Sequence, residues 1–332
     1  NLVESYVKNA QVTANGKQAP VSVAAAEKDA DGDRITENLT GLAVTATSSE
    51  DIKSFAIAGQ GAGTAAIAGS ATVNVINETT KAYLGQGAVV NGDNTDAGTA
   101  QDVSVVAYDD TEILSVAGAL TGAGTAAIGA GADAGVIDKN TQAWVWADTV
   151  NATGDVKVQA NSTEDFLSIA ASLGGAGTAA IAGSAGVYVV DAVTRALIGD
   201  DPADEVDLPT GATTTVTADG SVLVSAVDDS ETDIIAGNLA GAGTAGIGAA
   251  AAVTVIHRTT EAFLGPNADV TGKGGGDGVT AYTGEFTVGF EEDTGSDDFA
   301  AVPAAEFTQV DHVNDTIPCA DPHDFTTGQA VV

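Results

Sequence analysis

The chain has 332 residues, 44% of them apolar, but Ala, Val, Ile and 41 glycines dominate and aromatic residues make up only 5%, so its core must be built from small side chains in close layers. Eleven Lys and Arg face 46 Asp and Glu, a net charge of −35 that excludes nucleic acid, whose phosphates need cationic contacts, and disfavours anionic membrane surfaces. One cysteine, Cys319, rules out a disulfide framework within the chain.

In chain order, Glu4-Ser5-Tyr6-Val7 comes first and matches the last element of a repeat that recurs downstream, so a truncated copy opens the chain. No initiator Met or signal peptide stands at Asn1, and the chain is expected to be part of a longer polypeptide. Next stands Asp29-Ala30-Asp31-Gly32-Asp33, with Glu37 close behind. Alternating carboxylates around a glycine turn can supply the oxygens that a hard cation needs, so Asp29, Asp31, Asp33 and Glu37 form a candidate calcium site. The bidentate Glu that closes an EF-hand loop is missing, and a solvated acidic turn is the competing reading.

The repeat then begins in full. Alternating segments at Leu42–Thr47, Asp102–Ala107, Asp155–Ala160 and Ser221–Ala226 lead to acidic pairs at Glu50-Asp51, Asp109-Asp110, Glu164-Asp165 and Asp228-Asp229, read as solvated corners. A short apolar strand follows each pair. Gly-Ala-Gly-Thr-Ala comes next, at Gly61–Ala65, Gly122–Ala126, Gly175–Ala179 and Gly241–Ala245, with intervals of 61, 53 and 66 residues. Glycine at this density marks a sharp turn or close backbone approach; a phosphate cradle is disfavoured because no Lys follows and the chain is acidic.

After each motif, apolar and small residues alternate. One face of the first copy reads Ala65, Ile67, Gly69, Ala71, Val73, Val75, and the other is small as well, so both faces are expected to be covered by neighbouring layers. Asn77, Asp138, Asp191 or His257 then marks a polar corner. A Thr follows three residues later (Thr80, Thr141, Thr194, Thr260), and then an apolar pair led by Tyr83, Trp144, Leu197 or Phe263. The aromatic members are read as layer-filling core residues in preference to a sugar-binding ladder. His257 occupies a position where the other copies have Asn or Asp, so it is replaceable. Phe166 to Val190 carries no charge over 25 residues, but its Gly, Ala, Ser and Thr content argues against a membrane span. From Gly274 to Val332 there is no Lys or Arg and the motif has stopped.

These blocks resemble the repeats of very large bacterial surface proteins of the leukotoxin-like and haemagglutinin-like filamentous adhesin kind. The resemblance rests on Gly-Ala-Gly-Thr-Ala-Ala-Ile, Val-x-Val-Ile-Asn and Thr-x-Ala-Tyr-Leu-Gly, and on the tail from Asp321 to Val332. It implies secretion, a β-solenoid-like fibre and a role in adhesion or cell-surface structure. The expected fold is therefore all-β: a repetitive β-solenoid, most simply a parallel β-helix with about three coils per repeat, over residues 1–273. An antiparallel stacked β-sheet array is the alternative, and residues 274–332 form an acidic non-repeat β module. The expected function is an extracellular, non-enzymatic structural or adhesive rod, with copies of itself or a surface receptor as partners. A secreted polysaccharide-acting enzyme and a calcium-stabilised display module are the rival readings.

Overall fold

The structure is a computed structural model that describes residues 1–28, 34–201, 212–275 and 279. The chain divides into two units, Asn1–Glu285 and Phe286–Val332. Of the expected 274–332 module only Gly274, Gly275 and Val279 are described, and Asp29, Asp31 and Asp33 lie outside the described residues.

The first unit is all-β. Its strands, in order, are β1 (Leu2–Val7), β2 (Gln11–Val12), β3 (Val21–Lys28), β4 (Arg34–Leu39), β5 (Gly41–Ala62), β6 (Ala65–Leu84), β7 (Val89–Val90) and β8 (Asp102–Ala123). They continue as β9 (Ala126–Val145), β10 (Thr149–Ala152), β11 (Val156–Ala176), β12 (Ala179–Ile198), β13 (Thr214–Ala218), β14 (Val222–Ala242), β15 (Ala245–Leu264) and β16 (Ala268–Gly272). Each repeat sends one strand into each of three parallel sheets. The first long sheet has the order β14-β11-β8-β5, the second long sheet β1-β6-β9-β12-β15, and the short sheet β16-β13-β10-β7-β2. Among the described residues, only β3 and β4 pair antiparallel.

Each repeat therefore makes a single circuit of the sheets, one rung, where about three coils per repeat were expected. The reason lies in strand length. Segments read as separate short strands with corners between them are continuous strands of 20–22 residues, each about 70 Å long at ~3.3 Å per residue. The acidic pairs and the positions of Asn77, Asp138, Asp191 and His257 lie inside these strands. In a strand the members of an acidic pair point to opposite faces, so one carboxylate of each pair enters the interior.

The rungs stack in strict register. Ile67, Ile128, Ile181 and Ile247 are successive partners, as are Thr80, Thr141, Thr194 and Thr260. The variable interval between motifs is absorbed after the second long strand, where the segments leading to β8, β11 and β14 differ in length.

Between the two long sheets the interior changes from one end to the other. At the end closed by the short sheet, Val44, Leu84, Val90, Val105, Val145, Val158 and Ile198 form the main core. A charged layer comes next, then a smaller apolar cluster of Ile76, Ile113, Ile137, Phe166, Tyr188 and Val190. Beyond it Asp133 accepts hydrogen bonds from Thr72, Ser115, Ser168 and Tyr188. At the glycine end the inward positions are Ala, Gly, Ser and Thr, with Gln60 and Asn238 added on the two terminal rungs. There the sheets approach so closely that a Cβ on Gly131 would stand 2.7 Å from the Ala171 carbonyl oxygen and 3.1 Å from that of Ala117.

Both faces of these strands were expected to be covered, but only one is. The small face of β6 (Ala66, Ala68, Thr72, Asn74) is the buried one, and the Ile67–Val75 face looks outward, with Ile67 69% and Val75 72% exposed. The column of Tyr6, Tyr83 and Trp144, read as core, also lies on an outer face; its rings stack at 5.0 and 4.2 Å across rungs.

The expected turn at Gly-Ala-Gly-Thr is present, and the two glycines have different duties. The first (Gly61, Gly122, Gly241) has open space where a side chain would go. The second stacks directly on its predecessor: a Cβ on Gly124, Gly177 or Gly243 would overlap the carbonyl oxygen of Gly63, Gly124 or Gly177. Gly177→Ala should therefore lower the unfolding free energy by about 1–3 kcal/mol, the cost of overpacking, whereas Gly175→Ala, whose nearest neighbour would be 3.9 Å away, should stay within about 0.5 kcal/mol. Urea denaturation of the two variants checks this; equal losses would contradict the assignment.

Candidate functional site

The charged layer between the long sheets concentrates the ionisable chemistry of the described residues. The first long sheet contributes two inward rows, Ser48-Asp109-Ser162-Asp228 and Glu50-Thr111-Glu164-Ser230. The second contributes Glu78-Lys139-Ala192-Arg258 and the Thr80-Thr141-Thr194-Thr260 row. Alternation along each strand turns these residues inward, and the register between rungs brings them together.

Lys139 is the hub. Its side chain is 1% exposed, and its ammonium lies 2.6 Å from Asp109 Oδ1 and 2.9 Å from Glu164 Oε1. Burial alone would pull this ammonium down, but Glu164 and Asp109 outweigh it and hold its pKa above the ordinary lysine value. Two rungs on, Arg258 meets Asp228 at 2.9 Å. Threonines complete the pattern: Thr80 donates to Asp109 Oδ2 at 3.0 Å and Thr194 to Asp228 Oδ2 at 3.1 Å.

The first rung differs. Where the second has Lys139, it has Glu78, and Glu50, Glu78 and Asp109 converge with carboxylate oxygens all within 4.8 Å of one another. The Ser48 hydroxyl donates to Glu78 Oε1 and reaches Glu50 Oε1 at 3.0 Å. The Asn1 amide approaches Glu78 at 3.2 Å and Glu50 at 3.4 Å. Glu78 is 2% exposed, and its Oε2, like Oε2 of Glu50, has no hydrogen-bond partner. Burial, with Glu78 close by, pushes the Glu50 carboxyl up to about 7. Burial raises Asp109 despite the opposing pull of Lys139, and burial together with Glu164 raises Asp228. Of these three acids only Asp109 meets an ammonium, that of Lys139, and the cluster can hold either a shared proton or a hard cation.

The acids proposed from sequence as a calcium site are not this cluster. Glu37, on β4, is engaged with Lys157 of β11 at 2.7 Å, and Asp29, Asp31 and Asp33 lie outside the described residues. The β3–β4 hairpin instead covers the outer face of the first long sheet, with the Arg34 guanidinium 4.1 Å from the Tyr108 ring centre. Reading the acidic pairs as solvated corners hid Glu50 and Asp109. The signal that could have found them is the recurring Thr80-Thr141-Thr194-Thr260 row, in which Thr80 and Thr194 donate to buried carboxylates.

The exterior of the glycine end is the other outstanding feature. On the first long sheet, Phe55, Val116, Ile169 and Ile235 form one outward row, and Gly59, Leu120, Leu173 and Leu239 another. Between them runs a shallow groove with Gly118, Ala171 and Gly237 as its floor. On the second sheet the outward rows are Ile67-Ile128-Ile181-Ile247 and Val75-Val136-Val189-Val255. An acidic row, Asp51-Glu112-Asp165-Glu231, bounds the apolar zone on one face, and Asn77-Asp138-Asp191-His257 bounds it on the other. No helix among the described residues is long and apolar enough to cross a membrane. Comparison with protein families, curated proteins and solved structures finds no match to this chain.

The acids of the charged layer set the pH response. A carboxyl whose folded pKa is raised makes the folded chain bind more protons than the unfolded one between the two values, so stability grows as pH falls through that window. For Glu50 the window runs from about 7 down to 4.5, and Asp109 and Asp228 shift in the same direction. In buffer freed of divalent ions, the melting temperature should be higher at about pH 5.5 than at about pH 8, and Glu50→Gln should reduce the difference. Calorimetry across pH tests this, and a wild-type melting temperature that falls on acidification would refute it.

Proposed function

We propose that the chain is a segment of an extracellular structural or adhesive fibre, folded as a β-solenoid with one coil per repeat, that associates side to side with copies of itself. The observation that carries this reading is the apolar zone at the glycine end, exposed on both outer faces of every rung. It is uncharged on the second sheet, and on the first its charges are Lys53 and Asp233, both in the row beside the acidic boundary. Isolated exposed apolar residues need no explanation, but contiguous rows of them on both faces mark an interaction surface.

Size and shape favour a second copy as the occupant. Four rungs at ~4.8 Å and about eleven residues of strand at ~3.3 Å give roughly 700 Å² per face, near the ~800 Å² that each partner contributes to a standard interface. The isoleucine ridge of the second sheet and the glycine-floored groove of the first run along the same axis with the same spacing, so the ridge of one molecule suits the groove of the next. Pairing between unlike faces does not close on itself and generates an open stack, as a fibre requires. The resemblance of the repeats to filamentous bacterial surface proteins and the acidic composition support an extracellular setting. The reading involves no catalytic step. Stacked acidic rows would repel, so association should strengthen as salt screens them.

Sedimentation velocity tests the proposal. The wild-type chain should form oligomers that grow as NaCl rises towards about 0.5 M. Ile128→Asp/Val136→Asp, which charges the outer face while sparing the interior, should stay monomeric and folded. A wild-type chain that is monomeric at every salt concentration would overturn the proposal. Flotation with zwitterionic vesicles in place of self-association would assign the faces to lipid.

A further inference from the structure

We propose that Glu50, Glu78 and Asp109, with the Ser48 hydroxyl, bind one Ca²⁺ ion between the first and second rungs of the charged layer. The inference is independent of side-to-side assembly.

Three observations carry it. The first is geometric. The carboxylate oxygens lie within 4.8 Å of one another. An ion bonded at about 2.3–2.6 Å fits between oxygens up to roughly 5 Å apart without moving them. The second is the state of the ligands. Glu78 is 2% exposed and its Oε2 is unpartnered, as is that of Glu50. A buried carboxylate oxygen without a donor carries a desolvation cost that a bound cation, or a proton shared between neighbouring carboxyls, would offset.

The third comes from the register. Lys139 and Glu78 are direct partners in adjacent rungs. In the second rung the ammonium of Lys139 sits between Asp109 and Glu164, and in the fourth Arg258 holds Asp228. The layer thus places a cationic side chain beside its acids in two rungs and substitutes a third acid in the first. Four acids, Glu50, Glu78, Asp109 and Glu164, face the single ammonium of Lys139. A divalent ion beside Glu78 occupies the role that the ammonium plays one rung on.

The ligand chemistry selects the ion. All donors are hard oxygens, which excludes ions that prefer nitrogen or sulfur. Mg²⁺ demands octahedral geometry and keeps several waters, whereas three carboxylates and a hydroxyl in a closed layer can offer Ca²⁺ many oxygens directly.

Isothermal titration of the intact chain with CaCl₂ at about 0.15 M NaCl, where exposed charges are screened, provides the test, with native mass spectrometry counting ions per chain. One saturable Ca²⁺ per chain is expected at this cluster, together with a rise in melting temperature on adding Ca²⁺. Glu78→Gln, isosteric and less crowded with charge, should remain folded by circular dichroism, lose at least about tenfold in affinity and lose the thermal response. Glu112→Gln/Asp165→Asn, in the outer acidic row, should keep both. The absence of a saturable site in the wild-type chain would overturn the proposal. Binding unchanged by Glu78→Gln would do so too, and loss of that binding on Asp31→Asn would move the ion to the Asp29–Asp33 segment. A wild-type chain stabilised by acid but indifferent to Ca²⁺ would assign the cluster to a shared proton and likewise reject the ion.

Discussion

Every long strand lies beside its own equivalent in the next rung, residue on residue, over 20–22 positions. Parallel pairing in register satisfies the backbone and at the same time forces each side chain to stack on the side chain at the same repeat position. For apolar and hydroxyl residues this is favourable: isoleucine, valine and threonine rows pack well on a pleated surface. Aromatic rings stack, as Tyr6, Tyr83 and Trp144 do. For acids it is not, because like charges directly opposite repel. The interior rows avoid this by breaking the repetition: Asp109 is flanked by Ser48 and Ser162, and Glu164 by Thr111 and Ser230. The outer row Asp51-Glu112-Asp165-Glu231 keeps its acids and relies on solvent.

The same register explains why the two long sheets differ in separation along their length. Where the short sheet wedges them apart, valine and leucine fill the space. Towards the turn the sheets converge until the facing backbones of the inner rungs leave room only for Ala, Gly, Ser and Thr. Large apolar residues in that region have nowhere to go but outward. An exposed hydrophobic zone is thus a geometric consequence of a thin two-sheet edge, and it becomes an interaction surface because stacking lines up its residues into continuous ridges and grooves.

The repeat, its parallel β character and the turn at Gly-Ala-Gly-Thr were legible in the sequence, because identical blocks that cannot bury themselves alone must stack. The number of rungs per repeat was not. Glu50-Asp51 and Asp109-Asp110 look like corners in one dimension, and nothing local shows that Asp109 will meet Lys139 from the opposite sheet. The expectation that both faces are covered failed for a related reason. Alternation in Ala65–Val75 identifies two faces but not which one is inside, and the usual rule that the larger apolar face is buried fails where the facing sheet is too close. Of the site, Glu37 was singled out but pairs with Lys157. Glu50, Glu78 and Asp109 are brought together only by the register between sheets, which sequence spacing does not encode.

The stacking register is the claim on which everything else stands, and cross-linking measures it directly. In a Cys319→Ser background, cysteines at Val136 and Val189, which are register partners in adjacent rungs, should form a disulfide on mild oxidation because neighbouring strands lie about 4.8 Å apart. Cysteines at Val136 and Val187, displaced by two residues along the strand, should form it far less readily. Equal cross-linking of the two pairs, or preference for the displaced one, would contradict one rung per repeat in strict register.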